Sequence, residues 1–359
     1  MCYDRKRIER GGIPVKEYIA MLLIAFQLLT SGATTPNEIA AIEHGTPTLT
    51  IEANPKFENP LNGEIIEEPY TGRVFATTIS NVYEAIPHLG VNDADILLEM
   101  YVNNSVVRCL ALYSDISGVR MGGIRSTRLM FHQLADMYDF VLCHSGGSNQ
   151  VLNDANNRKL DIFNVDSYEA KKFKTSYRNT SGGRLYENSL FGNGENLVAY
   201  AASKGMRTTQ PAGKDYGLDF QDEGTPVNGE AATNVTISLR FDQSRKDTIM
   251  KYNGDLDKYE FWQYTRKMND IQTGKTEAFK NVIVVNAEIY LNGKYQMASF
   301  TKGGDGYYAC GGKLVPIKWT CASDKSPMEF FNADGSPLEL ERGNTYIAIA
   351  PKGSVIEWK

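Results

Sequence analysis

The chain has 359 residues, 42% of them hydrophobic and 23% charged, the make-up of a soluble globular protein long enough for two ordinary domains. A formal net charge of −5 implies no broad basic face, so nucleic acid is not an expected partner. Four histidines and no zinc-like cysteine spacing argue against a metal centre, and no cofactor is expected.

Arg5, Lys6, Arg7, Arg10 and Lys16 precede an almost wholly apolar run from Tyr18 to Leu29, and Ser31-Gly32-Ala33 follows it. The run is short for a membrane span, which takes about 20 residues, and it fits a signal-peptide h-region. Residues 1–33 are therefore expected to be a signal peptide, with an uncleaved membrane anchor as the alternative. In either case the body lies outside the cytoplasm, secreted or anchored at the outer face of the cytoplasmic membrane. Residues 34–65 are rich in Thr, Pro, Asn and Glu without a strong period and read as a flexible tether.

Residues 66–210 mix two periods. RVFATTIS, DILLEMYV, VVRCLALYS and FVLCH are short apolar runs rich in β-branched residues, hence strands. STRLMFHQLADMYD, NQVLNDANNR and ENLVAYAASKG carry helical spacing. Strands alternating with helices predict an α/β layered sandwich. Residues 211–232 are rich in Gly, Pro, Asp and Thr and read as a linker. Residues 233–359 read almost entirely as strands, with turns at Asn253-Gly254, Asn292-Gly293, Gly311-Gly312 and Asp334-Gly335. The expected fold class is thus α+β and multidomain, with an all-β C-terminal domain of sandwich or barrel type. Cys310 sits at one of those turns and Cys321 eight residues past Lys313, too far along a strand for a bridge. Cys109 and Cys143 read as small buried hydrophobes.

Three stretches could carry chemistry. FVLCHSGGSNQVL, residues 140–152, is a strand, a Gly-Gly turn and a helix start. Gly146 and Gly147 let backbone amides approach a bound group, and a helix N-terminus adds partial positive charge. The turn suits an anion cradle. His144 and Ser145 are neighbours on a strand end and point to opposite faces, so they are no natural dyad. Ser148 reads as the N-cap of the helix, and a plain strand-turn-helix connector stays open beside the cradle. In GGIRSTRLMF, residues 122–131, Ser126 reads as an N-cap flanked by Arg125 and Arg128. Two cations there oppose the helix dipole and call for an anion. It is either internal, with Glu99 as candidate, or a ligand held by an arginine fork. In SYRNTSGGRLYENSLF, Arg178 and Arg184 flank a second Gly-Gly loop, which alone reads as solvated surface. Of the histidines, His44 falls in the tether and His132 on a helix, leaving His88 and His144 as candidates near a site.

DILLE before an arginine-bearing strand, then GGIRSTR, HSGGS and the YR…R…YENSLF segment resembles the YerB-like family of bacterial lipoproteins. KNVIVV, GDGYYACGGKLVPIKW and FFNADGSPLELERGNTYIAIAP fit that family's β-rich C-terminal domain. The resemblance spans most of residues 70–358. It matches at Asn81, Ala94, Asp95, Glu99, Arg108, Ile124, Arg125, Ser126, Arg128, His144, Gly146, Gly147, Ser148, Arg178 and Arg184. The chain departs from the pattern at Asn103-Asn104-Ser105, where the family has Glu-Gly-Gly, at Asn188, where it has His, and in lacking the lipidated cysteine. If those are chemical groups in relatives, this copy binds without turnover. The resemblance implies two domains and an envelope location, and no activity.

Together these features favour an exported cell-envelope protein that binds an anionic small molecule or cell-wall fragment, bearing phosphate or carboxylate, in an arginine-rich cleft of the N-terminal domain. The expected binding residues are Asn81, Glu99, Arg108, Arg125, Ser126, Arg128, Ser145, Gly146, Gly147, Ser148, Arg178 and Arg184, with His144 as donor or acid/base. Two alternatives remain. One is a hydrolase or transferase acting on an envelope polymer with His144 as general acid/base, which needs a nucleophile, carboxylate or metal facing an open pocket. The other is a scaffolding protein whose β domain binds a partner through exposed aromatics, with Trp262, Trp319 and Trp358 as candidates.

Overall fold

The computed structural model describes residues 57–359. The expected signal or anchor segment, most of the tether and His44 lie outside the described residues. Residues 57–65, assigned to the tether by composition, are instead ordered against the body. Phe57–Glu58 pairs with Ile65–Ile66, Leu61 is buried, and Asn62 donates to Asp95.

The alternating apolar runs become strands as expected. In chain order these are β1 (Phe75–Ser80), β2 (Ile96–Asn103), β3 (Val106–Tyr113), α1 (Leu129–Tyr138), β4 (Val141–His144), α2 (Asn149–Arg158) and α3 (Gly194–Ser203). The later strands that matter here are β5 (Asn234–Phe241), β6 (Ser244–Asn253), β7 (Lys258–Gln263), β8 (Asn281–Ala287), β9 (Tyr295–Ala298) and β10 (Thr345–Pro351). The fold is α+β, with a β-rich C-terminal region.

A single thirteen-stranded mixed sheet takes strands from both halves of the chain. β10 lies between β8 and β2 and is parallel to both. β2 pairs antiparallel with β3, β3 with β1, and β1 runs parallel to β4. A second, six-stranded sheet holds β5, β6 and β7. The linker expected at 211–232 contributes to pairing as well, with Asp219–Gln221 beside Glu339–Glu341 and Glu230–Ala231 beside Lys313–Leu314.

Side chains alternate across a strand, and that alternation sets the two cores. Ile96, Leu98, Met100, Leu110 and Leu112 meet Phe131 and Leu134 of α1 on one face. Leu97, Tyr101, Val107 and Cys109 meet Leu239, Met250 and Phe261 of the second sheet on the other. Cys109, Cys143, Cys310 and Cys321 are free and buried, and Cys310 pairs across its turn with Lys313. Among the described residues no helix is long and apolar enough to cross a membrane.

Candidate functional site

The segment 125–128 and the turn 145–148 are laced together. Ser145 N donates to Arg125 O at 2.9 Å and Thr127 N to Gly146 O at 3.0 Å, while Arg125 N reaches Thr78 O on β1 at 3.1 Å. These bonds hold 125–128 extended, which corrects the expected helix start. Ser126 is not the cap: α1 begins at Leu129, its N-cap is Arg128, and no side chain caps it. Ser148 does cap α2, accepting from Val151 N at 3.4 Å. Two helix N-termini therefore open beside one another. The amides of Gly146 and Gly147 have no acceptor among the described residues.

Arg108 projects from β3 onto the same face. It is 4% exposed, and its Nη1 donates to Ser126 O at 2.5 Å. Its Nε is buried with no partner. Arg128 is held by Asn103 Oδ1 at 2.9 Å and the Thr127 carbonyl at 2.8 Å, and lies over the Tyr295 ring, 5.7 Å from its centroid. Arg125 donates to the Glu187 carbonyl. None of the three forms an ion pair among the described residues, whereas buried Arg73 has two carboxylates, Asp139 at 3.0 Å and Asp161. Burial, then the charges of Arg128 and Arg125, lower the Arg108 pKa to about 8. Burial likewise lowers those of Arg125 and Arg128.

His144 is buried, and its Nδ1 donates to Gly146 O at 2.9 Å, leaving Nε2 as the lone-pair nitrogen. Burial lowers its pKa to about 4. At neutral pH it is an uncharged orienting group, poorly suited to give up a proton as an acid. The Ser148 hydroxyl is engaged twice, by Val151 N and by Tyr295 OH at 2.8 Å. The Ser145 and Ser126 side chains and both turn glycines are partly exposed beside the arginines.

Other expected members lie elsewhere. Glu99 and Asn81 sit on the opposite face of the sheet from Arg108, because Glu99 pairs with Cys109 and Arg108 with Met100. Glu99 binds Lys246, not an arginine. Arg178 is paired with Asp166 at 2.7 Å. Arg184 holds the carbonyls of Ala85 and Pro87. His88 bridges Glu277 and the Ser80 carbonyl. Trp319 is buried, and Trp262 and Trp358 are partly buried, so the tryptophans form no exposed patch.

Sequence reading missed two features. One is Tyr295, which β9 brings under Arg128. The other is a buried chain in which Thr127 Oγ1 lies 2.9 Å from His132 Nε2, and His132 Nδ1 lies 2.8 Å from Asp154. Its connectivity is that of a nucleophile, base and orienting acid, but Thr127 and His132 are fully buried, so it braces the arginine segment against α1 and α2. The spacing of Thr127 and His132 around a helix start was the available signal.

Residues 61–207 match the model described as "Protein of unknown function (DUF3048) N-terminal domain", and residues 237–347 match its C-terminal counterpart. YerB of Bacillus subtilis (strain 168), named as a lipoprotein, is 24% identical over 82% of this chain and 87% of its own length. The crystal structure of YerB from Bacillus subtilis superposes with a TM-score of 0.70 at 21% identity, covering 84% of this chain and 99% of that one. It shares the fold.

Proposed function

The chain belongs to the YerB-like family, built from the two DUF3048 domains, and from that premise we propose that it is an extracytoplasmic protein that binds an anionic, phosphate- or carboxylate-bearing envelope ligand at Arg108, Arg125, Arg128 and the 145–148 turn. One observation carries the reading: three neighbouring guanidiniums, one of them buried, form no ion pair among the described residues, and the Glu187 carboxylate favours the charge of Arg125 without pairing with it. Unpaired buried charge is costly, and a bound anion removes the cost. Guanidinium forks, two helix N-termini and free glycine amides are all donors for the same kind of group. The extracytoplasmic location rests on the N-terminal sequence and on the lipoprotein name of the relative.

The test is thermal unfolding of the full chain against inorganic phosphate, sulfate, citrate and cell-wall fragments, in wild type and Arg125→Ala. A ligand at 100 times its Kd stabilises by about 2.7 kcal/mol, a shift of a few degrees in a chain of this size. A shift seen in wild type and lost in the variant supports the site. An equal shift in both places the anion elsewhere, and no shift with any anion removes the proposal.

A further inference from the structure

Behind the arginine site, on the other face of β2 and β3, lies a cavity of about 350 Å³, within the range of small-molecule pockets. Its floor is a buried polar cluster. Glu99 accepts from Asn81 Nδ2 and Lys246 Nζ on one oxygen, and from Thr248 Oγ1 and Tyr346 OH on the other. Lys246 also donates to Thr248 Oγ1 at 2.9 Å, which leaves one ammonium N–H without an acceptor. Asn81 is fully buried and its Oδ1 has no donor. The amide cannot be flipped to cure this, since its NH₂ is held by the Glu99 carboxylate. Both residues line the cavity, where Lys246 has an unused donor, and the unused acceptor of Asn81 lies buried beneath it.

The wall is aromatic. Tyr264 lines the cavity, its OH donates to Asn81 O at 3.2 Å, and its ring stands 5.6 Å from Tyr83 and from Lys246 Nζ. It occupies the two-residue turn between β7 and Arg266–Lys267, where Tyr264 has φ 48° and Thr265 φ 63°. Such turns favour Asn-Gly, and a β-branched residue at positive φ is a true outlier. The chain tolerates unfavourable backbone to place this ring at the cavity. The charges cancel: Lys246 with Glu99, and Arg245 with Asp247 at 2.7 Å on the rim.

We propose that this cavity binds a neutral pyranose. Both cations at the cavity are already paired with carboxylates, which disfavours an ionic guest. A sugar ring offers an apolar C–H face for the exposed ring of Tyr264, and hydroxyls that accept from Lys246. The site is separate from the anion site and does not depend on it.

Saturation-transfer NMR on the full chain, with glucose and N-acetylglucosamine as probes, tests the assignment. Tyr264 is at a hairpin tip, so Tyr264→Ala should keep the fold, checked by its melting profile. Transfer to at least one sugar in wild type, reduced five-fold or more in the variant, is the expected result. Failure of both sugars to receive saturation overturns the proposal. So does equal transfer in the folded variant. Displacement of the sugar by phosphate, abolished by Arg125→Ala, would move it to the arginine site and also overturn it.

Discussion

His144 and Arg108 are buried with their charges disfavoured, and each makes a distinct demand on solution conditions. The unfolded imidazole takes its proton near pH 6.5 and the folded one only near 4. Between those values the unfolded chain holds more protons, so stability that is complete above about pH 6.5 is lost as pH falls through the window. The loss is on the order of 3 kcal/mol, and His144→Asn should flatten that part of a stability-versus-pH curve. A variant that retains the full slope would move the effect to another group. Arg108 carries no compensating carboxylate, so Arg108→Met should leave the anion-free protein within about 1 kcal/mol of wild type, or above it, and abolish the anion-dependent melting shift. A loss of about 3–5 kcal/mol, as when one partner of a buried ion pair is removed, would mean that the guanidinium is a structural member. Arg125 and Arg128 were legible as cations flanking a helix start. That Arg108 joins them was carried by the family resemblance. That none of the three forms an ion pair was not legible, because it depends on where Glu99 and Glu187 end up. Glu99 was expected as their internal anion, yet strand alternation puts it on the other face, where Lys246 waits 147 residues away.

The turn 145–148 and the β9 hairpin meet at a single hydroxyl. Ser148 caps α2 and accepts from Tyr295, whose ring underlies Arg128. Ser148→Ala should cost about 1 kcal/mol through the lost cap. Tyr295→Phe should cost about 0.5–1.5 kcal/mol through the lost bond. The double variant should fall short of the sum, since the two changes delete a shared interaction. Strict additivity in denaturant titrations would show that the hydroxyl pair contributes nothing. Helical periodicity found α1, α2 and α3 with ends close to those observed, and Ser148 was legible as a cap. Ser126 was not, although it stands in the same local pattern. Hydrogen bonds to the carbonyls of Thr78 and Gly146 keep residues 125–127 extended, and no local pattern reports a partner that arrives from another strand. Tyr295 was hidden for the same reason.

At the scale of the whole molecule, composition separates residues 66–210 from 233–359, yet one thirteen-stranded sheet takes strands from both. The strand types were legible throughout, but their order was not. β10 inserts between β8 and β2, so the central strand of the N-terminal half pairs with one of the last in the chain. Tyr346 of β10 and Lys246 of β6 both close on Glu99 of β2. Parallel neighbours far apart in sequence leave no hairpin turn to announce them. Cutting the chain at the linker would strip β2 of its β10 partner, open an unpaired edge and expose Leu97 and Tyr101 to water. It would also leave Glu99 buried without its cation. A fragment of residues 57–210 should therefore fail to fold alone, showing no cooperative melting by circular dichroism and associating on a sizing column. In the full chain, Lys246→Met should lower stability by about 3–5 kcal/mol, the cost of orphaning a buried charge, and should do so within one transition monitored on tryptophan and on far-ultraviolet signals alike. A cooperative melt for the isolated fragment, or two separate transitions in the variant, would show that the halves fold independently and that the shared sheet forms only as a late docking of finished domains.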